Sequence, residues 1–371
     1  MATKVNPVTG ALDYYEQALP PFRNKIHNGA MQIAQRATST NFAHDGTTNG
    51  YVLDRFRIYT NNLQNWAGTV SQHTMSSSDY NTTGFSNALK FLTTNPESTI
   101  DNNEYVRIDT KLEGQDVKNL QYGTSSAKSS TLSFWVNSSV TGTYGITFYS
   151  QCSQSRALNV TYTIDSANTW EHKTITIVGD TGEAHADDNT LGIVIVWSLA
   201  SGSNYDSVNS TSWANYTTTN LNGGHQQDGV VTTDDAVFYL TGVQWEIGTS
   251  STPFEHRPIG TELNLCNRYF QQGPLTAFPV VIGTYSTYFA TNFRFSTPMR
   301  ATPSFTFFAP SSGNSGKIEQ WGGTEHTVSS VNVGSNNAGV PTNEGIQYVI
   351  ISSGIAVSVS LGAIIKADAE L

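Results

Sequence analysis

Apolar and polar residues alternate in short runs along most of this chain. At 242–247, Val243, Trp245 and Ile247 alternate with Gly242, Gln244 and Glu246, the two-residue period of a half-buried strand. Strand runs are also read at 88–91, 105–108, 131–136, 145–149, 158–164, 172–178, 191–197 and 236–245. Gly, Pro, Asn and Ser punctuate them at turn positions. About eight to ten strands with no strand–helix–strand unit predict an antiparallel double-sheet jelly roll. The helix-like piece in this region is 116–120. A second block of strands is predicted at 278–289, 292–295, 304–308, 328–333, 346–351 and 355–365. Its flexible connections are 311–316 (SSGNSG) and 334–339 (GSNNAG).

Breaks in the pattern divide the chain. Pro253, Pro258 and Gly260 end the first block, and Thr261 is expected to cap a short helix with Leu263, Cys266, Asn267 and Phe270 on one side. Residues 1–30 contain Pro7, Pro20 and Pro21 and few places to pack locally. They are expected to be disordered or laid across another protein as an extended arm. The expected organisation is all-β: an N-terminal anchoring arm (1–30), a jelly-roll β-sandwich (31–258), a linking helix (259–272) and a smaller C-terminal β domain (273–371). No internal repeat of solenoid or propeller period is found.

Composition supports this picture and narrows the function. Charged residues make up 13 % and Gly numbers 31, a mixture unsuited to long charged helices. The 17 Tyr, 17 Phe and 7 Trp supply core volume. The net charge of −10 repels a phosphate backbone, and no Lys/Arg cluster overrides it, so neither nucleic acid nor a polybasic membrane contact is expected. No apolar run reaches the roughly 18 residues of a membrane helix. The first residues have no apolar signal core, so synthesis in a cytoplasm is expected.

Candidate chemistry is sparse. A glycosidase needs two facing carboxyls. Asp234–Asp235, Asp187–Asp188 and Glu246 with Glu255 are the visible pairs, and adjacent Asp residues on a strand point to opposite faces. No catalytic residue is assigned. Asp101, Asn103, Asp234 and Asp235 are oxygen ligands of the kind a structural Ca²⁺ takes; turn chemistry explains the same residues. The His residues are scattered. Cys152 and Cys266 form neither a disulfide framework nor a zinc pair. Nucleophile-elbow and phosphate-loop strings are absent. Sugar binding is the remaining active class, because a sugar site needs exposed aromatic faces among amides and hydroxyls. Tyr205, Trp213 and Tyr216 stand in such a setting within the long segment 198–230, and Trp66 in a similar one at 61–69. The alternative is that these rings pack on the sandwich edge or on a neighbouring subunit.

The string LTGVQWEIGTSSTPFEHRPIGTELNLCNRYF at 240–270 resembles a junction of tail-fibre and virion proteins of tailed bacteriophages, with Trp245 where Leu is usual. In that group a sandwich related to carbohydrate-binding modules precedes the junction. NGAMQIAQR (28–36), YVLDRFRIY (51–59), TLSFWVNSSVTGTYGITFY (131–149), FSTPMRATPSF (295–305) and the terminal ADAEL (367–371) are similar to strings of the same group. The resemblance implies a structural, non-enzymatic virion component: a tail-fibre or outer-appendage subunit, homotrimeric, anchored to other virion proteins by its arm and touching host surface glycan. It also raises the expectation of one structural Ca²⁺. Its alternatives are a head-bound decoration or head-fibre protein, and a polysaccharide depolymerase.

Overall fold

Period-two patterning leaves each strand with one apolar face, and two sheets bury those faces against each other. The computed structural model describes residues 2–5, 12–15, 21–43, 49–279, 288–291, 294–320, 324–332, 348–351 and 361–371. The front sheet runs in spatial order Ala214–Asn215, Arg156–Ile164, Gly142–Ser150, Leu191–Ser201, Tyr105–Glu113, Arg57–Asn61 and Asn49–Tyr51. The back sheet runs Glu171–Ile177, Ser130–Ser138, Val237–Ile247, Asn87–Asn95, Ala67–Thr74 and Ser39–Phe42. Neighbouring strands are antiparallel throughout. The expected antiparallel sandwich is present. Phe134 of the back sheet meets Trp197 of the front edge-to-face at 6.0 Å, and Phe148 meets Trp245 at 5.5 Å. These rings belong to one continuous buried cluster.

Local chemistry explains several details. Gly242 has φ of 61°, and the pairing of Val237–Ile247 with Ser130–Ser138 shifts register between Thr241 and Gln244. That is a β-bulge, and a Cβ there would also press on the Phe85 ring. The expected helix at 116–120 appears as Gly114–Val117 followed by a 3₁₀ turn, Lys118–Leu120. A further helix, Ser77–Thr83, went unpredicted; Ser76 caps it by accepting from the Asp79 amide at 3.1 Å, and Gly84 closes it at φ 81°.

Three expectations require correction. The arm expected over 1–30 ends earlier: residues 24–29 lie along the sandwich. Beyond its pairing with Asn87–Asn95, strand Val237–Ile247 has a free edge, which leaves backbone groups needing partners. Lys25 N donates to Trp245 O at 2.9 Å, Val243 N to Gly29 O at 2.9 Å, and Trp245 N to the Asn24 side chain at 3.0 Å. Among the described residues, 2–5 and 12–15 pair with each other and with no other strand. The linking helix is Ile259–Asn267, with Pro258 rather than Thr261 at its N-cap and no side-chain cap. Phe270 is the first residue of strand Phe270–Pro279, not part of the helix.

Described strands of the C-terminal block pair in the order Phe270–Pro279, Tyr288–Thr291, Tyr348–Ile351, Glu325–Asn332, Lys317–Gln320 and Leu361–Asp368. Phe270–Pro279 also pairs with Leu361–Asp368, closing a ring of antiparallel strands, and Ser304–Phe308 adds to the latter's other edge. The expected strand positions 280–287, 292–293, 333, 346–347 and 355–360 and the connection 334–339 lie outside the described residues. The connection 311–316 is tied down, with Ser311 N and Oγ donating to Glu319 at 2.8 and 2.7 Å.

Several polar contacts hold this block to the sandwich. Arg268 forks onto Glu113 through two bonds of 2.7 Å. Glu370 is buried between Arg55 and Arg36. Arg55 lies over the Tyr269 ring, 3.4 Å from its centroid, and Asp54 accepts from the Gln35 amide at 2.7 Å. Arg36 and Arg55 therefore form a socket for Glu370.

Candidate glycan-binding cleft

The outer face of the front sheet carries the most distinctive chemistry. Along Tyr105–Glu113, Val106, Ile108 and Leu112 point inward. Tyr105, Arg107, Asp109 and Lys111 take the opposite face by strand alternation. Register sets Tyr59 opposite Arg107 and Arg57 opposite Asp109 on one neighbour. On the other side Val194 stands opposite Lys111 and Tyr149 opposite Val194. Tyr59, Tyr105, Arg107, Tyr149 and Arg300 line an open cleft of about 510 Å³ there, with Lys111 and Leu371 at its border with the C-terminal residues.

The cleft is built around a charge network. Arg57 forks onto Asp109 with bonds of 2.9 and 2.6 Å. Arg107 Nε reaches the same carboxylate at 3.3 Å. Asp109 is fully buried, and burial of an anion demands such pairing. Burial works against the charge on both arginines, but Asp109 outweighs it and holds their pKa values above the usual guanidinium range. Lys111 donates to a main-chain carboxyl oxygen of Leu371; burial, and then Arg57, bring its amine down to about 8. Arg300 bonds the carbonyls of Ala369 and Asn189, each at 2.7 Å.

Rings surround these cations. Tyr59 stacks on Tyr105 at 5.7 Å, and the Arg107 guanidinium lies 5.0 Å from the Tyr59 centroid and 5.3 Å from that of Tyr105. Burial raises the phenol pKa values of Tyr105 and Tyr149, so both remain O–H groups at neutral pH.

Of the four aromatics expected from the sequence, two pack against rings that line this cleft without lining it themselves. Tyr205 meets Tyr105 edge-on at 4.7 Å and accepts from Asn61 Nδ2 at 3.1 Å. Tyr216 stacks on Tyr149 at 5.3 Å. The segment bearing them is pinned across the sheet rather than hanging free. Asn159 donates to Asn220 O at 2.9 Å and accepts from Ser210 N at 2.8 Å, and Asn222 bonds Ser198 and Ser201.

The other two do not. Trp66 is 1 % exposed, stacked on Phe91 at 5.3 Å with its N–H on Thr93 at 3.1 Å. It is a core residue, which corrects its selection as an exposed ring. Trp213 is partly buried against the core, edge-on to Tyr122 at 5.6 Å, with its N–H on Val178 O at 2.7 Å. Sequence reasoning missed Tyr59, Tyr105, Arg107 and Tyr149. The available signal was a run of large aromatic or Arg side chains at outward strand positions, where Ser and Thr are common elsewhere in this chain.

The residues selected as Ca²⁺ ligands serve turns. Glu104 accepts from Asp101 N at 2.9 Å, Asn103 O accepts from Asn61 at 2.8 Å, and Asp234 accepts from Asp235 N at 3.1 Å. Among the described residues no three His, Cys, Asp or Glu gather as a metal site, so Asp101, Asp234 and Asp235 do not form one. Cys152 and Cys266 are free thiols. No described helix is long and apolar enough to cross a membrane.

A second cleft of about 610 Å³ lies on the back sheet, lined by Phe85, Trp135, His172, Phe254 and His256. It is aromatic, and none of its lining residues is Arg or Lys. Beside it, the junction string forms a polar lock. Gln244 bonds Glu246 at 2.9 Å and accepts from Glu255 N at 2.8 Å, Thr252 bonds Glu246 at 2.7 Å, and Arg257 pairs with Glu255 and Glu262.

No family model and no curated protein matches this chain. Solved structures do. The chain is similar to the enzymatically active domain of tailspike protein 4 of bacteriophage CBA120 (13 % identity, TM-score 0.30, 62 % of this chain). It spans only 22 % of that tailspike chain. It is also similar to the family 11 carbohydrate-binding module of Clostridium thermocellum, solved with a mixed-linked tetrasaccharide (9 %, TM-score 0.25, 58 % of this chain and 91 % of that). A third is the CBM22-2 xylan-binding domain of a Paenibacillus barcinonensis protein (12 %, TM-score 0.29, 60 % and 97 %). At these scores the likeness carries no information on ligand or activity.

Proposed function

We propose that this chain is a non-enzymatic glycan-binding β-sandwich protein that serves as a structural subunit of a tailed-phage virion, in a tail fibre or similar outer appendage. The observation that carries glycan binding is the front-sheet cleft, where Tyr59, Tyr105 and Tyr149 are set on rigid strands beside Arg107. Its volume falls within the roughly 300–1,000 Å³ of ligand clefts. Ring faces suit the apolar side of a sugar, and phenol and guanidinium groups suit its hydroxyls. The virion assignment rests on the resemblance of the junction and terminal strings to phage fibre chains. Hydrolysis is not proposed, because a glycosidase uses two facing carboxyls and Asp109 is buried and held by two arginines.

The test is binding of the full chain to host cells or extracted surface glycan. Tyr149→Ala is expected to weaken binding about fivefold, the worth of one stacked ring of about 1 kcal/mol. Trp213→Ala, away from the cleft lining, is expected to leave affinity unchanged. No binding by the parent overturns the glycan reading. Equal binding by Tyr149→Ala moves the site to the aromatic cleft around Trp135.

A further inference from the structure

The front cleft concentrates positive charge in an acidic protein. The chain carries 19 Lys and Arg against 29 Asp and Glu. Four of those cations, Arg57, Arg107, Lys111 and Arg300, line this one cleft, and none of its lining side chains is a carboxylate. Asp109 lies beneath and is shared between Arg57 and Arg107, so it offsets one charge only. Glu370, deeper, pairs with Arg55 and Arg36. Arg300 bonds backbone carbonyls, which leave its charge uncancelled, whereas Lys111 is paired with the main-chain carboxyl end at Leu371.

One group points to a missing partner. Arg107 is 5 % exposed, and its Nη1 finds no hydrogen-bond partner among the described residues. A buried guanidinium N–H without an acceptor is costly. It is retained here beside two stacked tyrosine rings, at the wall of an open cleft. An anionic oxygen entering the cleft would satisfy it. A neutral sugar hydroxyl would leave the surplus charge unanswered.

We infer that the ligand of this cleft is an acidic polysaccharide, its rings lying on the tyrosines and its acid group, a carboxylate or a sulfate ester, received by Arg107. This rests on the glycan reading above and specifies its chemical class.

The experiment compares binding of the full chain to polygalacturonate and its carboxyl-reduced form, and to dextran sulfate and dextran. An acidic form is expected to bind about tenfold or more tightly than its neutral counterpart, with the gap narrowing as salt rises. Preference within the first pair assigns a carboxylate, and within the second a sulfate. Arg107→Gln is expected to abolish the preference. Lys118→Gln removes the same charge at an exposed position outside the cleft lining and is expected to retain it. Should Arg107→Gln not fold, the salt dependence of the parent carries the test. Equal binding of acidic and neutral forms overturns the acidic class and leaves glycan binding standing. A preference lost equally in Lys118→Gln reduces it to overall charge and also overturns it. If the parent binds host glycan but none of the acidic polymers, the inference fails alone; if it binds no glycan at all, the underlying reading fails with it.

Discussion

Trp66 and Glu97 show how far a residue's role depends on atoms distant in sequence. Trp66 sits in the polar run Asn61–Thr69, yet its ring is in the core. The turn that carries it is held by Glu97, whose carboxylate accepts from Gln64 N and Asn65 N at 2.9 Å and from Trp66 N at 3.3 Å. Burial pushes the Glu97 pKa up, but these bonds outweigh it and hold the carboxyl below its ordinary 4.5. A carboxyl depressed in the folded state contributes stability that is full above its unfolded pKa and lost as pH falls through its folded one. Glu97→Gln is therefore expected to cost about 1–3 kcal/mol at neutral pH, with the difference from the parent shrinking below about pH 4. Urea unfolding of both proteins at pH 7 and pH 3 measures it. A difference equal at both values would assign the cost to packing of the amide instead.

At the scale of elements, backbone satisfaction decides what counts as part of the fold. Residues 24–29 have little apolar alternation, but they supply partners to the free edge of strand Val237–Ile247 and bury Ile26 and Asn28. Asn28 bonds the carbonyls of Ile33 and Asp54 at 2.8 and 2.9 Å. Removing residues 1–20 is expected to leave the melting temperature within a few degrees. Removing 1–30 is expected to lower it by about 10 °C or more, since several buried bonds go at once. Thermal unfolding of the two truncations checks this, and equal melting temperatures would show that 24–29 are dispensable. The same logic applies to 198–230. Asn159 satisfies its backbone from beneath, and its own Asn222 bonds back to Ser198 on strand Leu191–Ser201, which orders a long polar segment beside the cleft.

For the molecule as a whole, the last residues tie the terminal block to the sandwich and also border the cleft. Glu370 fills the Arg36–Arg55 socket, while Leu371 and Arg300 stand beside Lys111. Cleft shape and attachment of the C-terminal block are thereby coupled. Breaking a buried ion pair of this kind costs about 3–5 kcal/mol, because the remaining charge is left buried. Assembly is the other property at this scale. A fibre subunit is expected to close into a homotrimer, and Ile364, 41 % exposed on strand Leu361–Asp368, offers apolar surface for it. Native mass spectrometry of the full chain at micromolar concentration is expected to show trimer, and a spectrum of monomer alone overturns this.

Patterning by itself determined the fold class and most strand positions, because an alternating run has one dry face whatever it packs on. It brought out Tyr205 and Tyr216 as aromatics in a polar setting. The junction at 240–270 stood out in sequence, yet its reason is tertiary: Gln244, Glu246, Glu255 and Arg257 lock a strand end to residues 23–28. Trp66 is a core residue and Trp213 a partly buried one because burial is set by neighbours such as Phe91 and Tyr122, which no local window contains. The cleft itself was decided only in three dimensions. Tyr59, Tyr105, Arg107 and Tyr149 come from three strands, and only the lateral register of the front sheet sets them on one face around a buried Asp109.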